Sequence, residues 1–402
     1  MDNIRLAIVG CGVMGNRHLA GLMELQKAGL SRFDFVAACD PLIDRASALA
    51  KKAREYFNTE VKAVEKLEDL APLGVQAIDQ TTVPWIHHTI AIKAMELGMH
   101  VMVEKPMGLT VKACKIMMKT AENSDCVLNV AENFHYDPMN RLARELVCKK
   151  IIGDARLMLH NGVSGGTGII VTPWRHLKKG GGPILDVGVH NAYVTEYLMG
   201  KVGTVFAQAR LHEKVRRSRS GSEPDEMNPD AEDAVYATLV FENGGVCQYI
   251  EDHAGHGKGL RHRSVYGSKG SMDLPSDRSG QPINMMLDGR GEVKGEQILD
   301  FVPDFSLNKV TSALFGRERL GYYEFPFPAI DAKLLAAEYA DFADSILDGK
   351  KSEVDLINAM RSVALPYAML ESSKLGRAVT MSEIMEEKVH SYQDEINGMI
   401  NL

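Results

Sequence analysis

Residues 4–15 read Ile-Arg-Leu-Ala-Ile-Val-Gly-Cys-Gly-Val-Met-Gly, and this stretch decides the fold of the first part of the chain. An apolar strand pattern runs into Gly10, Gly12 and Gly15, and helical periodicity follows them. In that context the first glycine permits a tight turn, the second lets the backbone approach a pyrophosphate, and the third allows close helix–strand packing. Free N–H groups at the start of the helix attract an anion. The pattern predicts a dinucleotide-binding turn, with Val13 and Met14 beside the glycines at the cofactor.

Short apolar runs alternate with longer amphipathic stretches up to about residue 130. Strands are predicted at residues 6–9, 35–39, 77–81, 101–103 and 127–131, and helices at 13–28, 43–57, 86–97 and 111–123. Strands that are apolar throughout and alternate with helices are typical of a parallel sheet covered on both faces. We therefore predict an α/β protein whose residues 1–135 form a doubly wound Rossmann domain.

The pattern changes after Pro138. A connecting helix is predicted at 138–150, period-2 strands at 155–163, 202–212, 234–241, 246–251 and 263–266, and helices at 333–347 and 354–375. Pro366 should kink or split the last of these. We predict a second α/β domain over 136–402 with a large, open, mainly antiparallel sheet, one face of which is solvated or covered by a partner. The C-terminal helices are expected to pack back on the first domain, and residues 381–402 to dock on the body or lie at an oligomer contact.

Composition excludes several classes of protein. The 402 residues include 46 basic and 53 acidic side chains, a net charge of −7, which argues against a nucleic-acid binder. No apolar run approaches the ~20 residues needed to cross a bilayer, and the chain opens directly into a strand. We expect a cytoplasmic protein with no membrane partner. The six cysteines have no CxxC spacing, which argues against a disulfide framework or a zinc site.

Two strand ends carry candidate binding groups. Asp40 follows the second predicted strand, where a carboxylate accepts hydrogen bonds from ribose hydroxyls and repels a 2′-phosphate, so NAD is favoured over NADP. Lys105, in Glu104-Lys105-Pro106, follows a later strand. At the carboxyl end of a parallel strand it can reach the nicotinamide ribose and a substrate hydroxyl. The alternative is a solvated lysine in a turn.

A glycine-rich segment precedes Asp186 and His190, which share one face if the stretch is helical. Oxidation of an alcohol requires removal of the hydroxyl proton, and histidine suits that general-base task. Asp186 would orient the imidazole or hold a neighbouring substrate hydroxyl.

These motifs resemble the Gfo/Idh/MocA oxidoreductases, which include glucose–fructose oxidoreductase and inositol dehydrogenases. The resemblance covers residues 4 to about 375 and rests on the glycine turn, Thr82-x-Pro84-x-x-x-His88, Glu104-Lys105-Pro106, Trp174-Arg175 and Asp186-x-x-x-His190. It implies a catalytic triad of Lys105, Asp186 and His190, with the histidine as proton acceptor. It also implies that the cofactor cleft is lined by Thr82, Pro84, His88, Glu104 and Asn133, and that Trp174 and Arg175 contact cofactor or substrate. A homo-oligomer, dimer or tetramer, with subunit contacts on the open sheet is a further implication.

The chain departs from the family pattern at several places. Trp85 stands where an asparagine is expected, and His135 stands where an arginine is frequent, so His135 is a candidate substrate contact. Residues 213–233 form an insertion that we predict to be a solvated loop, with phosphate binding by its arginines (Arg216, Arg217, Arg219) as the alternative. Residues 306–328 either close over a ligand or pack on a neighbouring subunit.

Three histidines, His253, His256 and His262, lie close together in the sequence near Glu251 and Asp252. Their spacing fits no standard zinc pattern, so we expect no metal. Contact of His253 or His256 with the substrate is the more plausible role.

We therefore expect an NAD-dependent enzyme that oxidises a secondary hydroxyl of a sugar, polyol or glycoside, with oxidation at C3 of a glycoside as one form. Two alternatives stay open: a redox-neutral glycosidase that uses NAD, and a nicotinamide-binding sensor without catalysis. The intact set of Lys105, Asp186 and His190 counts against the sensor, since a sensor needs no proton acceptor.

Overall fold

The computed structural model describes residues 3–218 and 225–402. In the first part of the chain, six strands form a parallel sheet in the order β3-β2-β1-β4-β5-β6. The strands are β1 Ile4–Val9, β2 Phe33–Cys39, β3 Lys62–Val64, β4 Ala77–Gln80, β5 His100–Glu104 and β6 Leu128–Ala131. The helices are α1 Val13–Lys27, α2 Ile43–Phe57, α3 His87–Glu96 and α4 Val111–Glu122. All five predicted strands and four predicted helices are confirmed, and only the short edge strand β3 was missed.

The turn between β1 and α1 has the geometry that its glycines predict. Gly10 has φ +99°, in the left-handed region that favours glycine. A Cβ on Gly15 would lie 2.3 Å from the carbonyl oxygen of Gly10, so only glycine lets α1 start this close to the strand.

The second part of the chain contains a nine-stranded sheet in the order β16-β15-β14-β13-β7-β12-β11-β8-β17. Its strands are β7 Ala155–Gly165, β8 Val202–Arg210, β11 Ala234–Phe241, β12 Val246–Gly255, β13 Leu260–Gly267, β14 Gly270–Leu274, β15 Asn284–Leu287, β16 Gly291–Lys294 and β17 Val379–Thr380; β9 Arg216–Arg217 and β10 Glu226–Met227 form a separate hairpin. Only β7 and β12 pair in parallel. The predicted class, a Rossmann domain plus an α/β domain with a mainly antiparallel sheet, is confirmed.

The helices of this part cover one face of the sheet and reach the first domain. They are α5 Pro138–Cys148, α6 Gly182–Asp186, α7 Gly188–Met199, α8 Lys309–Phe315, α9 Phe327–Asp348, α10 Leu356–Leu375, α11 Met381–Met385 and α12 Ser391–Met399. Helix α9 lies against α1: a Cβ on Gly21 would come within 2.5 Å of the Cβ of Leu335. Arg17 Nε donates to Asp331 Oδ2 at 2.7 Å across the same contact. The C-terminal part of the chain therefore packs back on the first domain.

Two local predictions, at Pro366 and Arg216, differ from the structure. Pro366 does not split its helix, because α10 runs through it and is buried along both halves. Arg216 is not solvated: its guanidinium is fully buried and pairs with Asp233 at 2.7 Å. Arg217 is exposed, as predicted, and Arg219 lies outside the described residues.

The C-terminal segment docks on the body of the molecule. Tyr392 and Ile396 of α12 are buried, and the backbone N–H of Tyr392 donates to Glu371 Oε1 at 2.7 Å. Residues 306–328 contain α8, and their buried Phe315 packs against Tyr323 of the same segment. Among the described helices, none is both long and apolar enough to span a membrane.

Candidate active site

Two connected cavities lie where the carboxyl ends of the parallel strands meet the second domain. The smaller, of about 270 Å³, is lined by Met14, Arg17, Thr82, Pro84, Glu104, Lys105, Ala131, Asn133, Phe134, Ile170, Val171, Trp174, Arg175, Asp186, Val187, His190, Asn191, Arg261 and Arg278. The larger, of about 610 Å³, extends over β7, β12 and β13. Both are lined by Ile170, Val171, Val187, Asn191 and Arg261, so the two cavities form one cleft.

The glycine turn fits a dinucleotide. A Cβ on Gly12 would meet nothing within 4 Å, so there is open space where α1 begins, and no side chain caps this helix. An uncapped helix N-terminus with free space beside it suits a pyrophosphate. Asp40 accepts the N–H of Cys11 at 2.8 Å and of Leu42 at 2.9 Å. A carboxylate has about four acceptor positions, so the two backbone bonds hold Asp40 in place and leave acceptor capacity for ribose hydroxyls.

Lys105 and Asp186 meet in the smaller cavity, as the predicted triad requires. Lys105 Nζ donates to the backbone oxygen of Asp186 at 2.8 Å and approaches its Oδ1 at 3.4 Å. Arg175 Nε donates to Asp186 Oδ2 at 2.7 Å. Burial alone would raise the pKa of Asp186, but the charges of Lys105 and Arg175 outweigh it and hold the pKa below its usual range. Asp186 is therefore an ionised anchor for two cations.

His190 lines the same cavity, but Asp186 does not orient it. A break at Val187 separates α6 from α7, and Asp186 is committed to Lys105 and Arg175. Instead, His190 Nδ1–H donates to Glu132 Oε1 at 2.7 Å. The ring of Phe134 stacks on the imidazole with centroids 4.2 Å apart and an interplanar angle of 8°.

Sequence reasoning missed Glu132. The available signal was its place directly after β6, at the carboxyl edge of the sheet, where a polar side chain is expected to face the ligand.

Glu104 is part of a buried ionic cluster behind Lys105. His18 donates through Nε2 to Glu104 Oε1 at 3.1 Å and through Nδ1 to Asp79 Oδ2 at 3.0 Å. Burial would raise the pKa of Glu104, but the hydrogen bond and charge of His18, with the charge of Lys105, lower it to about 2. Glu104 lines the cleft as predicted, and His18 ties it to α1.

The residues after β4 reach the cleft only in part. Thr82 and Pro84 line it, together with Asn133 after β6, but His88 does not. The neighbouring His87 is fully buried, with its ring nitrogens 2.8 Å from the carbonyl oxygen of Pro106 and 3.1 Å from that of Thr82. His87 therefore links the loop after β4 to the loop that carries Lys105, a role that the sequence motif did not assign to it.

Trp174 and Arg175 form one wall of the smaller cavity. The indole of Trp174 packs edge-on against Trp85 at 5.4 Å, and the guanidinium of Arg175 lies 4.5 Å over the Trp174 ring. Trp85, which replaces the asparagine of the family pattern, thus supports Trp174.

His135 is not brought to the cleft. The hydroxyl of Tyr193 donates to its Nδ1 at 2.9 Å, and its Nε2 lies 3.3 Å from Glu353 Oε2. It is absent from the lining of both cavities, because β6 ends in a turn that points His135 towards α7. The predicted substrate contact at this position is not supported.

The three neighbouring histidines have separate partners. His253 donates to Glu251 at 2.8 Å, His256 pairs with Glu213 at 2.9 Å, and His262 lies 2.7 Å from the hydroxyl of Ser264. No group of three metal-ligating side chains occurs among residues 3–218 and 225–402. His253 and His262 line the larger cavity, whereas His256 does not.

Comparisons with known proteins identify the family of the chain. Residues 4–132 match the family model described as the NAD-binding Rossmann fold of the Gfo/Idh/MocA oxidoreductases, and residues 167–381 match that of their C-terminal alpha/beta domain. D-glucoside 3-dehydrogenase from Escherichia coli is 26% identical over 301 residues, 72% of this chain and 80% of the relative. Levoglucosan dehydrogenase from Pseudarthrobacter phenanthrenivorans is 25% identical over 299 residues, 69% of this chain and 75% of the relative.

Solved structures show the same fold. An NAD binding oxidoreductase from Klebsiella pneumoniae superposes with a TM-score of 0.77 at 19% identity, covering 94% of this chain and 99% of the other. A levoglucosan dehydrogenase in complex with NADH superposes with a TM-score of 0.74 at 19% identity and the same coverage. Both domain models match in order along one chain, and the chain therefore belongs to the Gfo/Idh/MocA family of oxidoreductases, with a nicotinamide cofactor as its redox partner.

Proposed function

We propose that the protein is an NAD-dependent dehydrogenase that oxidises a secondary hydroxyl of a sugar, polyol or glycoside. The observation that carries the proposal is the meeting of Lys105, Asp186 and His190 between the glycine turn and the larger cavity. The names of the relatives support a carbohydrate substrate, since two of them are dehydrogenases of a glucoside and of levoglucosan.

Three residues of the smaller cavity have separate roles in the proposed reaction. Nε2 of His190 has no partner among the described residues, which leaves it to accept the hydroxyl proton of the substrate. Lys105 Nζ donates a hydrogen bond to the same oxygen and stabilises its developing negative charge. Asp186 holds the ammonium of Lys105 in place. When bound, the nicotinamide supplies the hydride acceptor.

The cofactor preference proposed here is NAD. Asp40 is held by two backbone N–H groups at the end of β2, so its carboxylate cannot swing away from an adenosine ribose. A fixed negative charge at that position repels a 2′-phosphate.

The larger cavity is the proposed substrate pocket. Its lining includes the polar side chains of His160, Asn161, Glu251, His253 and Arg263. The cavity volume falls in the range of roughly 300–1,000 Å³ that is typical of small-molecule sites. Fixed donors and acceptors of this kind match the hydroxyl groups of a carbohydrate.

The test begins with the purified protein. Denaturation followed by quantification of released NAD and NADH establishes whether cofactor is retained. Polyols and glycosides are then supplied with NAD, and NADH absorbance is followed. His190→Ala should lower turnover by about 10²–10⁴-fold while NADH binding persists. His390→Ala, at an exposed histidine of the C-terminal segment, is the matched control.

Three outcomes contradict the proposal. Release of an aglycone without net NADH would identify a redox-neutral glycosidase. Binding of NAD without turnover of any carbohydrate would favour a sensor. Wild-type turnover in His190→Ala would remove His190 from its assigned role.

A further inference from the structure

The imidazole of His190 is held on one edge and on one face by residues that follow β6. Nδ1 lies 2.7 Å from Glu132 Oε1, and the Phe134 ring stacks on the imidazole with the ring centroids 4.2 Å apart. Glu132 Oε1 also accepts the backbone N–H of Phe134 at 3.1 Å. The carboxylate of Glu132 therefore holds the Nδ1 edge of the imidazole and also fixes the backbone of Phe134, whose ring covers one face of the imidazole.

The two carboxylates that line the smaller cavity, Glu104 and Asp186, have other partners. Asp186 accepts from Arg175 and Lys105, and Glu104 accepts from His18. Glu132 is 2% exposed, and its Oε2 has no partner among the described residues. Such a buried carboxylate is stabilised chiefly by the N–H groups that it accepts, and His190 supplies one of them.

We propose that Glu132 is the positioning residue of the proton acceptor: it holds His190 with hydrogen on Nδ1 and the lone pair on Nε2, and it stabilises the imidazolium that forms during oxidation. The inference rests on the proposed dehydrogenase function. In the reaction the substrate O–H and C–H bonds break and a carbonyl forms. The proton goes to Nε2 of His190, and the electron pair of the C–H bond leaves with the hydride to the nicotinamide.

Other charged side chains lie near His190. Glu104, Lys105 and Asp186 line the same cavity as His190, and the guanidinium of Arg278 lies over the Phe134 ring, 5.1 Å from its centroid.

Behind them Glu338 is 2% exposed, and neither carboxyl oxygen has a partner among the described residues. Burial raises the pKa of Glu338 well above its usual range, and the carboxylates of Glu104, Glu132 and Asp79 add to this effect against the opposing charge of His18. The burial of Glu338 beside these carboxylates therefore favours its neutral form.

Kinetics of Glu132→Gln test the proposal. The amide keeps the size of the side chain and removes its charge, so kcat should fall by about 10²–10⁴-fold with the Kd for NADH unchanged. The acidic limb of the kcat/KM profile should move to lower pH, because an imidazolium without a carboxylate partner releases its proton more readily. Glu132→Asp should recover part of kcat. Glu122→Gln, the same change at an exposed site on α4, should leave kcat and the pH profile unchanged.

A second measurement does not depend on the substrate. In ¹⁵N-histidine spectra of the full chain, with the His190 signal assigned by its loss in His190→Gln, the wild type should show hydrogen on Nδ1. Glu132→Gln should give a mixture of tautomers. If the wild type oxidises no carbohydrate, the proposed function is wrong. The spectra still test whether Glu132 fixes the tautomer of His190.

Wild-type kcat and an unchanged acidic limb in a folded Glu132→Gln protein would overturn the proposal. Hydrogen on Nε2 of His190 in the wild type would overturn it as well, even if Glu132→Gln failed to fold.

Discussion

Three aspartates each pair with two cationic side chains that line the cleft. The pairs are Lys105 and Arg175 at Asp186, Arg261 and Arg263 at Asp277, and Arg17 and Arg278 at Asp331. A carboxylate shared in this way fixes the positions of two long side chains that would otherwise be mobile. The polar lining of the cleft is thereby held in place before a ligand arrives, which lowers the cost of ordering it on binding.

Asp277 gives a prediction for the dependence of stability on pH. Burial would raise its pKa, but Arg263 and Arg261 lower it from 3.8 to about 2. Because the folded-state value is depressed, the stabilisation is present above pH 3.8 and is lost as pH falls from 3.8 to about 2. The free energy of unfolding of the wild type should therefore exceed that of Asp277→Asn by an amount that shrinks by about 2 kcal/mol over this window.

Urea unfolding at a series of pH values checks this expectation. Asp288→Asn, at an exposed position on the neighbouring turn, is the control. Its free energy of unfolding should differ from that of the wild type by an amount that does not vary with pH. A pH-independent difference for Asp277→Asn would contradict the assigned ion pairs.

At the scale of elements, Arg216 of the insertion at residues 213–233 is hydrogen-bonded to the ends of strands that line the larger cavity. Arg216 Nη1 donates to the carbonyl oxygens of Gly166 and His253 at 2.7 Å and 2.9 Å, and its Nη2 donates to Asp233 Oδ2 at 2.7 Å. It therefore joins the hairpin β9–β10 to the ends of β7 and β12. The charge pattern predicted a solvated loop, because a run of arginines does not show which of them meets a buried carboxylate.

Arg216 and Arg217 form a matched pair for mutation. Arg216→Ala should lower the free energy of unfolding by about 3–5 kcal/mol, since Asp233 would remain buried without its partner. Arg217→Ala removes an exposed ion pair with Glu226 and should cost less than about 1 kcal/mol. Denaturant unfolding of both variants measures their free energies of unfolding. Equal decreases in the two variants would exclude a structural role specific to Arg216.

At the scale of the whole molecule, one face of the nine-stranded sheet carries helices and the other is open. The open face carries large apolar side chains in register: Phe206, Tyr236, Val240, Tyr266 and Met286. Exposed apolar patches of this kind mark interaction sites. We propose that the face pairs with the same face of a second copy, which is how a two-fold dimer buries one surface on both subunits.

The oligomeric state in solution tests this pairing. Sedimentation equilibrium should give two or four times the chain mass of 44.2 kDa. The double variant Phe206→Asp with Tyr266→Asp should shift the mass to that of a smaller species. Burial of the patch would then leave the two introduced carboxylates without partners, which is unfavourable. Tyr322→Asp, at a residue 41% exposed outside the sheet, is the control. A wild-type monomer would refute the proposed pairing.

The sequence by itself determined most of the helices and strands of the first domain and predicted the three residues of the proposed triad. The bounds of α2 and β11 match their predicted ranges, and the glycine turn has the expected backbone. These features depend on hydrophobic period and on local backbone sterics, which neighbouring residues set. Lys105, Asp186 and His190 were recognised because their motifs are local as well.

Only the tertiary structure decided which groups surround that triad. His190 and Glu132 are 58 positions apart and meet because α7 lies at the carboxyl end of β6. The same packing commits Asp186 to Arg175 and turns His135 away towards Tyr193. Two residues so far apart in the sequence become hydrogen-bond partners only through the packing of the two domains against each other. No local pattern of residues encodes such a contact.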